Sequence, residues 1–190
     1  MIDVLDSLPA LTIALGLAAL FGFSAGHKLY AYDEWPGVVR NYRLLPEPLS
    51  GVVAPLLIGL ETATAAALVW PAARGVGATL AALLLLSYAL GIGINLLRGR
   101  THIDCGCFGA RLREGITAWI VVRNLVLASL ALALRLPPSG RPLTVTEVLF
   151  AVAAVTTLAF LYPVLAVVTR RRAPTFDENY RASLDARTSR

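Results

Sequence analysis

The fold is decided by an uncharged stretch at residues 75–97, which reads GVGATLAALLLLSYALGIGINLL. A bilayer core about 30 Å thick is crossed by roughly 20 helical residues at about 1.5 Å each, so this stretch is long enough to span a membrane. Other uncharged blocks lie on both sides of it, at residues 8–23, 49–60, 115–122, 124–134 and 148–169. The pattern predicts a polytopic membrane protein.

The composition supports the same prediction. The chain is 57% hydrophobic with a mean hydropathy of +0.69 and only 15% charged residues, whereas soluble domains carry roughly 25%. A soluble fold would have to bury helices that are apolar on all sides, and 190 residues are too few to cover them. We therefore predict an all-α membrane bundle of about five transmembrane helices. The predicted spans are residues 8–30, 49–70, 75–97, 115–136 and 145–169.

The connections between the spans differ in length. The spans lie in a membrane domain at residues 1–169, and residues 170–190 are predicted to be a polar, disordered tail. Residues 71–74 are so few that the second and third spans should form a tight helical hairpin. Residues 31–48 suit an interfacial helix or a structured loop, and residues 98–114 hold the cysteines.

Basic residues are distributed unevenly between the two predicted faces. Thirteen lie on the face shared by the two long connections and the C-terminus, three lie on the other face, and Arg123 lies inside a span. The positive-inside rule then places the N-terminus outside the plasma membrane, and the cysteine loop and C-terminus in the cytoplasm. The net charge of +5 does not indicate nucleic acid, because no basic patch is interleaved with aromatic residues. The bilayer itself, including anionic lipid, is the expected contact.

Cys105 and Cys107 are the only cysteines in the chain. Two cysteines placed at random would lie two residues apart about once in a hundred times, so the spacing is a signal. Extended chain separates such residues by about 6.6–7 Å, more than the roughly 5.5–6 Å of a relaxed disulfide. Gly106 lets the chain fold between them, because positive φ costs glycine little. A strained disulfide is readily reduced, which suits thiol–disulfide exchange.

The surroundings of the pair leave alternatives open. Arg100, Arg111 and Arg113, and His102 when it is protonated, favour the thiolate, the attacking species, whereas Asp104 opposes it. An inert structural pair is one alternative. A metal site is another, with four ligands on paper: His102, Asp104, Cys105 and Cys107. Their spacing is too compressed for a common zinc pattern, and a second pair of ligands is missing, so no metal is predicted.

Ionisable residues inside the spans are further candidates, because charge in hydrocarbon is costly and usually functional. Glu61 and Arg123 are predicted to be close enough for an ion pair, either structural or part of a polar site beneath the cysteine loop. His27 is expected to exchange protons in thiol chemistry, or else to cap a helix or contact headgroups. Three tryptophans are predicted to anchor the membrane interfaces: Trp35, Trp70 and Trp119.

The chain also resembles the MauE family, which is related to DoxX-like membrane proteins. The resemblance covers residues 20–125 and rests on Gly26-His27-Lys28-Leu29, Asn41-Tyr42-Arg43-Leu44-Leu45-Pro46, Glu61, Asn95-Leu96, Asp104-Cys105-Gly106-Cys107-Phe108-Gly109 and Arg123-Asn124. It implies a four-helix DoxX-like core plus one helix, and a membrane redox partner for a thioredoxin-like protein that helps to form or maintain disulfides in exported proteins. That role implies thiols acting outside the cytoplasm, whereas the arginine distribution places their loop inside.

The sequence thus predicts a membrane thiol–disulfide redox protein. Cys105 and Cys107 would exchange electrons with the partner, and His27, Glu61 and Arg123 would support them. A quinone between the spans is a further expectation, although no quinone motif is present. The alternative is a non-catalytic membrane scaffold or assembly factor whose cysteines only hold the loop's shape. A transporter is less favoured, because inverted repeats and broken helices are missing.

Overall fold

The computed structural model describes residues 6–100, 116–137 and 142–170. The regular structure in these ranges is entirely helical. It comprises α1 (Ser7–Tyr30), α2 (Trp35–Asn41), α3 (Glu47–Val69), α4 (Arg74–Leu97), α5 (Ala118–Ala133) and α6 (Val145–Arg170), with a 3-10 turn at Pro71–Ala73. The prediction of an all-α fold is confirmed.

Three helical stretches are long and apolar enough to cross a membrane: Ser7–Tyr30, Pro48–Val69 and Pro71–Leu97. Their bounds match the first three predicted spans to within a few residues. Two shorter apolar helices, Ala118–Ala133 and Val145–Leu158, lie within the fourth and fifth predicted spans. The protein is a multi-pass membrane protein, and the count of five spans stays a prediction.

The chain divides into two units, residues 1–152 and 153–190, and the boundary falls inside α6. The first unit contains α1 to α5 and the beginning of α6. In the second unit the structure describes only the rest of α6, through Arg170. Most of the predicted disordered tail, residues 171–190, lies outside the described residues.

In the first unit, α1 packs against α3, α3 against α4, and α4 against α5, while α2 lies on α3. The core where these helices meet is rich in alanine, which lets helix backbones approach closely in a membrane. Its buried members are Leu17, Ala18, Phe21, Leu68, Ala81, Ala82, Leu84, Leu85, Ala128 and Ala131.

The predicted hairpin between α3 and α4 is confirmed, and its connection is the 3-10 turn. Gly77 of α4 lies against the backbone of α3. A Cβ atom there would lie 2.8 Å from the backbone nitrogen of Leu68 and 2.9 Å from the carbonyl carbon of Ala67. Only glycine leaves room for this contact.

The long connection at residues 31–48 contains α2 and a non-helical segment that leads into α3. Trp35, at the start of α2, is buried and its indole Nε1 donates a hydrogen bond to the Ala54 carbonyl oxygen at 3.0 Å. The prediction that Trp35 anchors the interface is therefore wrong, because its ring packs between α1 and α3 with Ala25 and Ile58. Trp70 and Trp119 are largely exposed.

Candidate functional site

Glu61 lies in α3, and its side chain is fully buried. One carboxylate oxygen, Oε1, accepts hydrogen bonds from three groups on two neighbouring helices. Ser24 Oγ of α1 lies at 3.2 Å, Tyr88 Oη of α4 lies at 2.6 Å, and Lys28 Nζ of α1 completes the set as an ion pair. One buried carboxylate thus joins three helices of the bundle.

Lys28 reaches this carboxylate because of its position on α1. Ser24 and Lys28 are four residues apart, so they lie on the same face of the helix, which is the face towards α3. The Lys28 ammonium also lies 4.5 Å from the Trp35 ring centroid and 5.2 Å from that of Tyr88. Both distances are within the range of cation–π attraction, which strengthens when the cation is desolvated. The charge of Lys28, only 2% exposed, is balanced by one carboxylate and two aromatic faces.

The other oxygen of Glu61 is in a different situation. Oε2 is buried and accepts no hydrogen bond from the residues that the structure describes. A buried carboxylate oxygen without a donor is costly. The carboxylate therefore retains one acceptor position for a further hydrogen-bond donor.

Among the described residues the ion-pair partner of Glu61 is Lys28, whereas the sequence suggests Arg123; a pairing of Glu61 with Arg123 stays a prediction. Arg123 lies in α5, which packs chiefly against α4. The carboxylate instead accepts hydrogen bonds from Lys28 of α1 and Tyr88 of α4. Arg123 is partly buried next to the buried Asn124.

His27 precedes Lys28 and lies near the end of α1. Successive helical residues are turned by about 100°, so its imidazole is directed away from the face that carries Ser24 and Lys28. The described contacts of Glu61 do not include it. Its expected role in proton exchange stays a prediction.

A second polar cluster lies where α4 ends, which we call the arginine clamp: Asn41, Tyr42, Arg43, Asn95, Arg98 and Arg100. The Arg100 guanidinium donates hydrogen bonds to the backbone oxygen of Asn41 at 3.0 Å and to that of Tyr42 at 3.4 Å. Arg98 donates to the backbone oxygen of Arg43 at 3.3 Å. The clamp ties the connection after α2 to the residues that lead into the cysteine loop.

The end of α4 has the geometry of a Schellman motif. Gly99 has a positive φ of 69°, its N–H donates to the Leu96 carbonyl at 2.9 Å, and the Arg100 N–H donates to the Asn95 carbonyl at 2.9 Å. The Arg100 side chain also donates to Asn95 Oδ1 at 3.0 Å. Residue 100 is therefore fixed through both its backbone and its side chain.

Cys105 and Cys107 lie outside the described residues, which stop at Arg100 and resume at residue 116. The same is true of His102 and Asp104, on which the metal alternative depends, and of Arg111 and Arg113. Of the predicted site residues, the structure places Glu61, His27 and Arg123, and it brings none of these three together.

Sequence reasoning missed the groups around Glu61. The sequence places Lys28 among the charges of the membrane face and gives no reason to single out Ser24 or Tyr88. The available signal was the spacing of Ser24 and Lys28, which places a hydroxyl and an amine on one face of a span. It did not reveal that α3 presents Glu61 to that face, because one sequence does not say which helices are neighbours.

Long apolar helices joined by a fully buried ion pair define a multi-pass helical membrane protein with a polar centre. The chain belongs to the MauE family, since the family model described as methylamine utilisation protein MauE matches residues 6–137. The expected family is thereby confirmed.

Relatives named methylamine utilization protein MauE are similar to much of the chain. The protein of Paracoccus denitrificans is 46% identical over 132 residues, which is 69% of this chain and 71% of the relative. That of Methylophilus methylotrophus is 37% identical over 161 residues, 83% of this chain and 84% of the relative. That of Methylorubrum extorquens is 38% identical over 130 residues, 66% and 70% of the two chains. No solved structure matches the chain.

Proposed function

We propose that this protein serves methylamine utilisation, the role in its relatives' names, as a membrane thiol–disulfide exchange protein. Cys105 and Cys107 would be the exchanging pair and a thioredoxin-like protein the partner. The observation that carries the proposal is the Cys-Gly-Cys spacing of the only two cysteines, five residues beyond the anchored Arg100. A disulfide that only stabilises the fold would favour relaxed geometry. This spacing instead favours a strained disulfide that is readily exchanged.

In the proposed exchange, the electrons and protons that leave the cysteine pair are taken up by the partner. A thiolate of the pair attacks the partner's disulfide, breaks its S–S bond and forms a mixed disulfide, and the released partner thiolate takes up a proton. The second cysteine of the pair then loses its proton and attacks the mixed disulfide. The partner leaves as a dithiol, and a Cys105–Cys107 disulfide remains. Two electrons have passed from the pair to the partner, and the reverse sequence returns them.

The polar groups in the spans would support this exchange in different ways. Glu61 and Lys28 would act through packing, because their contacts join α1, α3 and α4. His27 would donate or accept a proton, and Arg123 would supply a positive charge within α5. The expected quinone stays a prediction, and no step above uses one.

We further propose five spans, with a four-helix DoxX-like core plus one helix. In this arrangement the N-terminus is outside and the cysteine loop and C-terminus are cytoplasmic. The support is the arginine distribution, which places most basic residues on the face of the two long connections. A partner that matures exported proteins would then have to reach the pair from the cytoplasm or from within the bundle.

The test of exchange is to trap its intermediate. If one cysteine attacks and the other resolves, Cys105→Ser or Cys107→Ser, but not both equally, should accumulate a reductant-sensitive adduct with a thioredoxin-like protein. The adduct is measured on non-reducing gels after acid quenching of the cells. The double serine variant is the matched control and should form no adduct and lose activity, while inserting normally in the membrane.

The rival function is a membrane scaffold or assembly factor whose cysteines only shape the loop. It predicts that the double serine variant supports full maturation of the client protein and that neither single variant traps a partner. That outcome would replace the exchange proposal.

A further inference from the structure

The carboxylate of Glu61 forms a polar centre together with Ser24, Lys28, Trp35 and Tyr88. Its Oε1 accepts hydrogen bonds from three donors, whereas Oε2 is buried and has no donor among the residues that the structure describes. We propose that Oε2 is the binding site of an internal water molecule inside the helical bundle. This inference goes beyond the proposed exchange function and does not depend on it.

The burial of the polar centre restricts what binds there. Glu61 is fully buried, Lys28 is 2% exposed and Trp35 is 8% exposed, so a donor that reaches Oε2 must be small. It must also be neutral, because the Lys28 ammonium already balances the carboxylate and a second buried cation would have no counter-charge. Water meets both requirements and donates hydrogen bonds.

The polar centre also offers the number of partners that a buried water needs, which is typically about three. The water donates one hydrogen to Glu61 Oε2. Ser24 Oγ uses its own hydrogen on Oε1 and keeps lone pairs that accept the second. The Lys28 ammonium has three donors and uses one on Oε1, so another is available for the water oxygen. Leaving a charged, buried oxygen without a donor costs more than immobilising one water.

The type of basic residue at this position suits a hydrated site. Of the 17 lysine and arginine residues in the chain, Lys28 is the only lysine. An ammonium is compact and donates in three directions, whereas the donors of a guanidinium lie in one plane. The ammonium of Lys28 can therefore contact a carboxylate and a water while it also faces the rings of Trp35 at 4.5 Å and Tyr88 at 5.2 Å.

The bound water can be detected by X-ray radiolytic labelling of the full-length protein in lipid vesicles. A short X-ray pulse converts water to hydroxyl radicals, and a radical formed from a bound water oxidises the side chains beside it. Tyr88 is the reporter, because its hydroxyl contacts Glu61. Phe21 is the control, because it lies about one turn before Ser24 on α1 and is buried in the apolar core. Mass spectrometry gives the oxidation rate of each, divided by the rate of the same residue in the denatured chain.

We expect Tyr88 to be oxidised several-fold faster than Phe21 on this scale. A radical scavenger confined to the aqueous phase should leave the Tyr88 rate unchanged, because the radical is formed inside the bundle. Replacing the charged pair by Lys28→Leu with Glu61→Leu should lower the Tyr88 rate to that of Phe21. The matched control is Ser24→Ala, which removes one donor to Oε1 but keeps the carboxylate and the ammonium, so oxidation of Tyr88 should persist.

Four outcomes would overturn the proposal. Tyr88 would be as protected as Phe21 if no water is bound, and the scavenger would abolish its oxidation if the radicals came from bulk water. Both tests need only the unchanged protein, so they decide even if the double variant does not fold. Oxidation that persists in the folded double variant would show that Glu61 does not hold the water. Oxidation that is lost in Ser24→Ala would assign the water to Ser24 instead of Oε2.

Discussion

At the scale of single residues, Lys28 and Glu61 place two opposite charges where α1, α3 and α4 meet. Desolvating both groups is expensive, and an apolar pair of similar volume is often as stable or more so. The pair does specify how the helices are aligned. A slide of one helical turn, about 5.4 Å, would separate the ammonium from the carboxylate and leave both buried without a partner.

This gives a prediction for the free energy of unfolding. Lys28→Met leaves the Glu61 carboxylate buried without its counter-charge and should destabilise the protein by about 3–5 kcal/mol. Combining Lys28→Met with Glu61→Leu should recover part of that loss, because no unpaired charge remains. Thermal unfolding of the purified variants in detergent measures the coupling in a double-mutant cycle.

The matched control replaces Lys28→Met by Arg123→Met in the same cycle. Arg123 lies in α5, whereas the described ion pair of Glu61 is with Lys28 of α1, so we expect the effects of Arg123→Met and Glu61→Leu to add. Additive effects for Lys28 with Glu61, or strong coupling for Arg123 with Glu61, would contradict the ion pair described here.

The same residues show what a single sequence can reveal of the site. Glu61 was predictable because a carboxylate inside an apolar block is conspicuous. Its partner was not, because the choice between Lys28 and Arg123 depends on which helix packs next to α3. Hydrogen bonds to backbone carbonyls, as in the arginine clamp, were equally hidden, because every residue of a helix end offers the same acceptor.

At the scale of elements, the α3–α4 hairpin depends on a close contact between backbones at Gly77. Gly77→Ala would place its Cβ atom 2.8 Å from the Leu68 nitrogen, so the helices must move apart. We expect a loss of about 1–3 kcal/mol in the free energy of unfolding, as for other overpacked sites. Thermal unfolding in detergent is again the measurement.

Gly93→Ala is the control for this prediction. Gly93 lies in the same helix, and nothing lies within 4 Å of a Cβ atom built on it. The substitution should be neutral or stabilise α4 by up to about 1 kcal/mol, since alanine is the better helix former. Equal loss in both variants would show that the effect comes from helix chemistry and not from the hairpin contact.

The elements differ in how well the sequence predicted them, and length explains the difference. The three long helices were placed within a few residues, because 23 or 24 residues of apolar chain have few other stable structures in a membrane. The short connection between α3 and α4 left only a hairpin. The sequence of α2 is compatible with either a helix or a structured loop, because seven residues are too few to show helical periodicity.

At the scale of the whole molecule, the distribution of basic residues predicts which face of the membrane carries the cysteine loop. Lys28 no longer counts among the basic residues that set the orientation in the membrane, because its ammonium is buried against Glu61. Twelve basic residues then remain on the predicted inner face, against three on the other. The bias that places the loop in the cytoplasm is therefore preserved.

The last prediction tests this topology with a membrane-impermeant maleimide on intact cells treated with a permeant reductant. Cys105 and Cys107 should stay unlabelled until the cells are permeabilised.

Two reporters in the double serine background are matched controls at exposed positions: Ala72→Cys, between α3 and α4, and Asp33→Cys, between α1 and α2. Ala72→Cys should react in intact cells and Asp33→Cys should not, because α3 separates them. Labelling of the native pair and of Asp33→Cys in intact cells would place the loop outside, as the maturation of exported proteins implies. Equal labelling of the two reporters would contradict the spanning of α3.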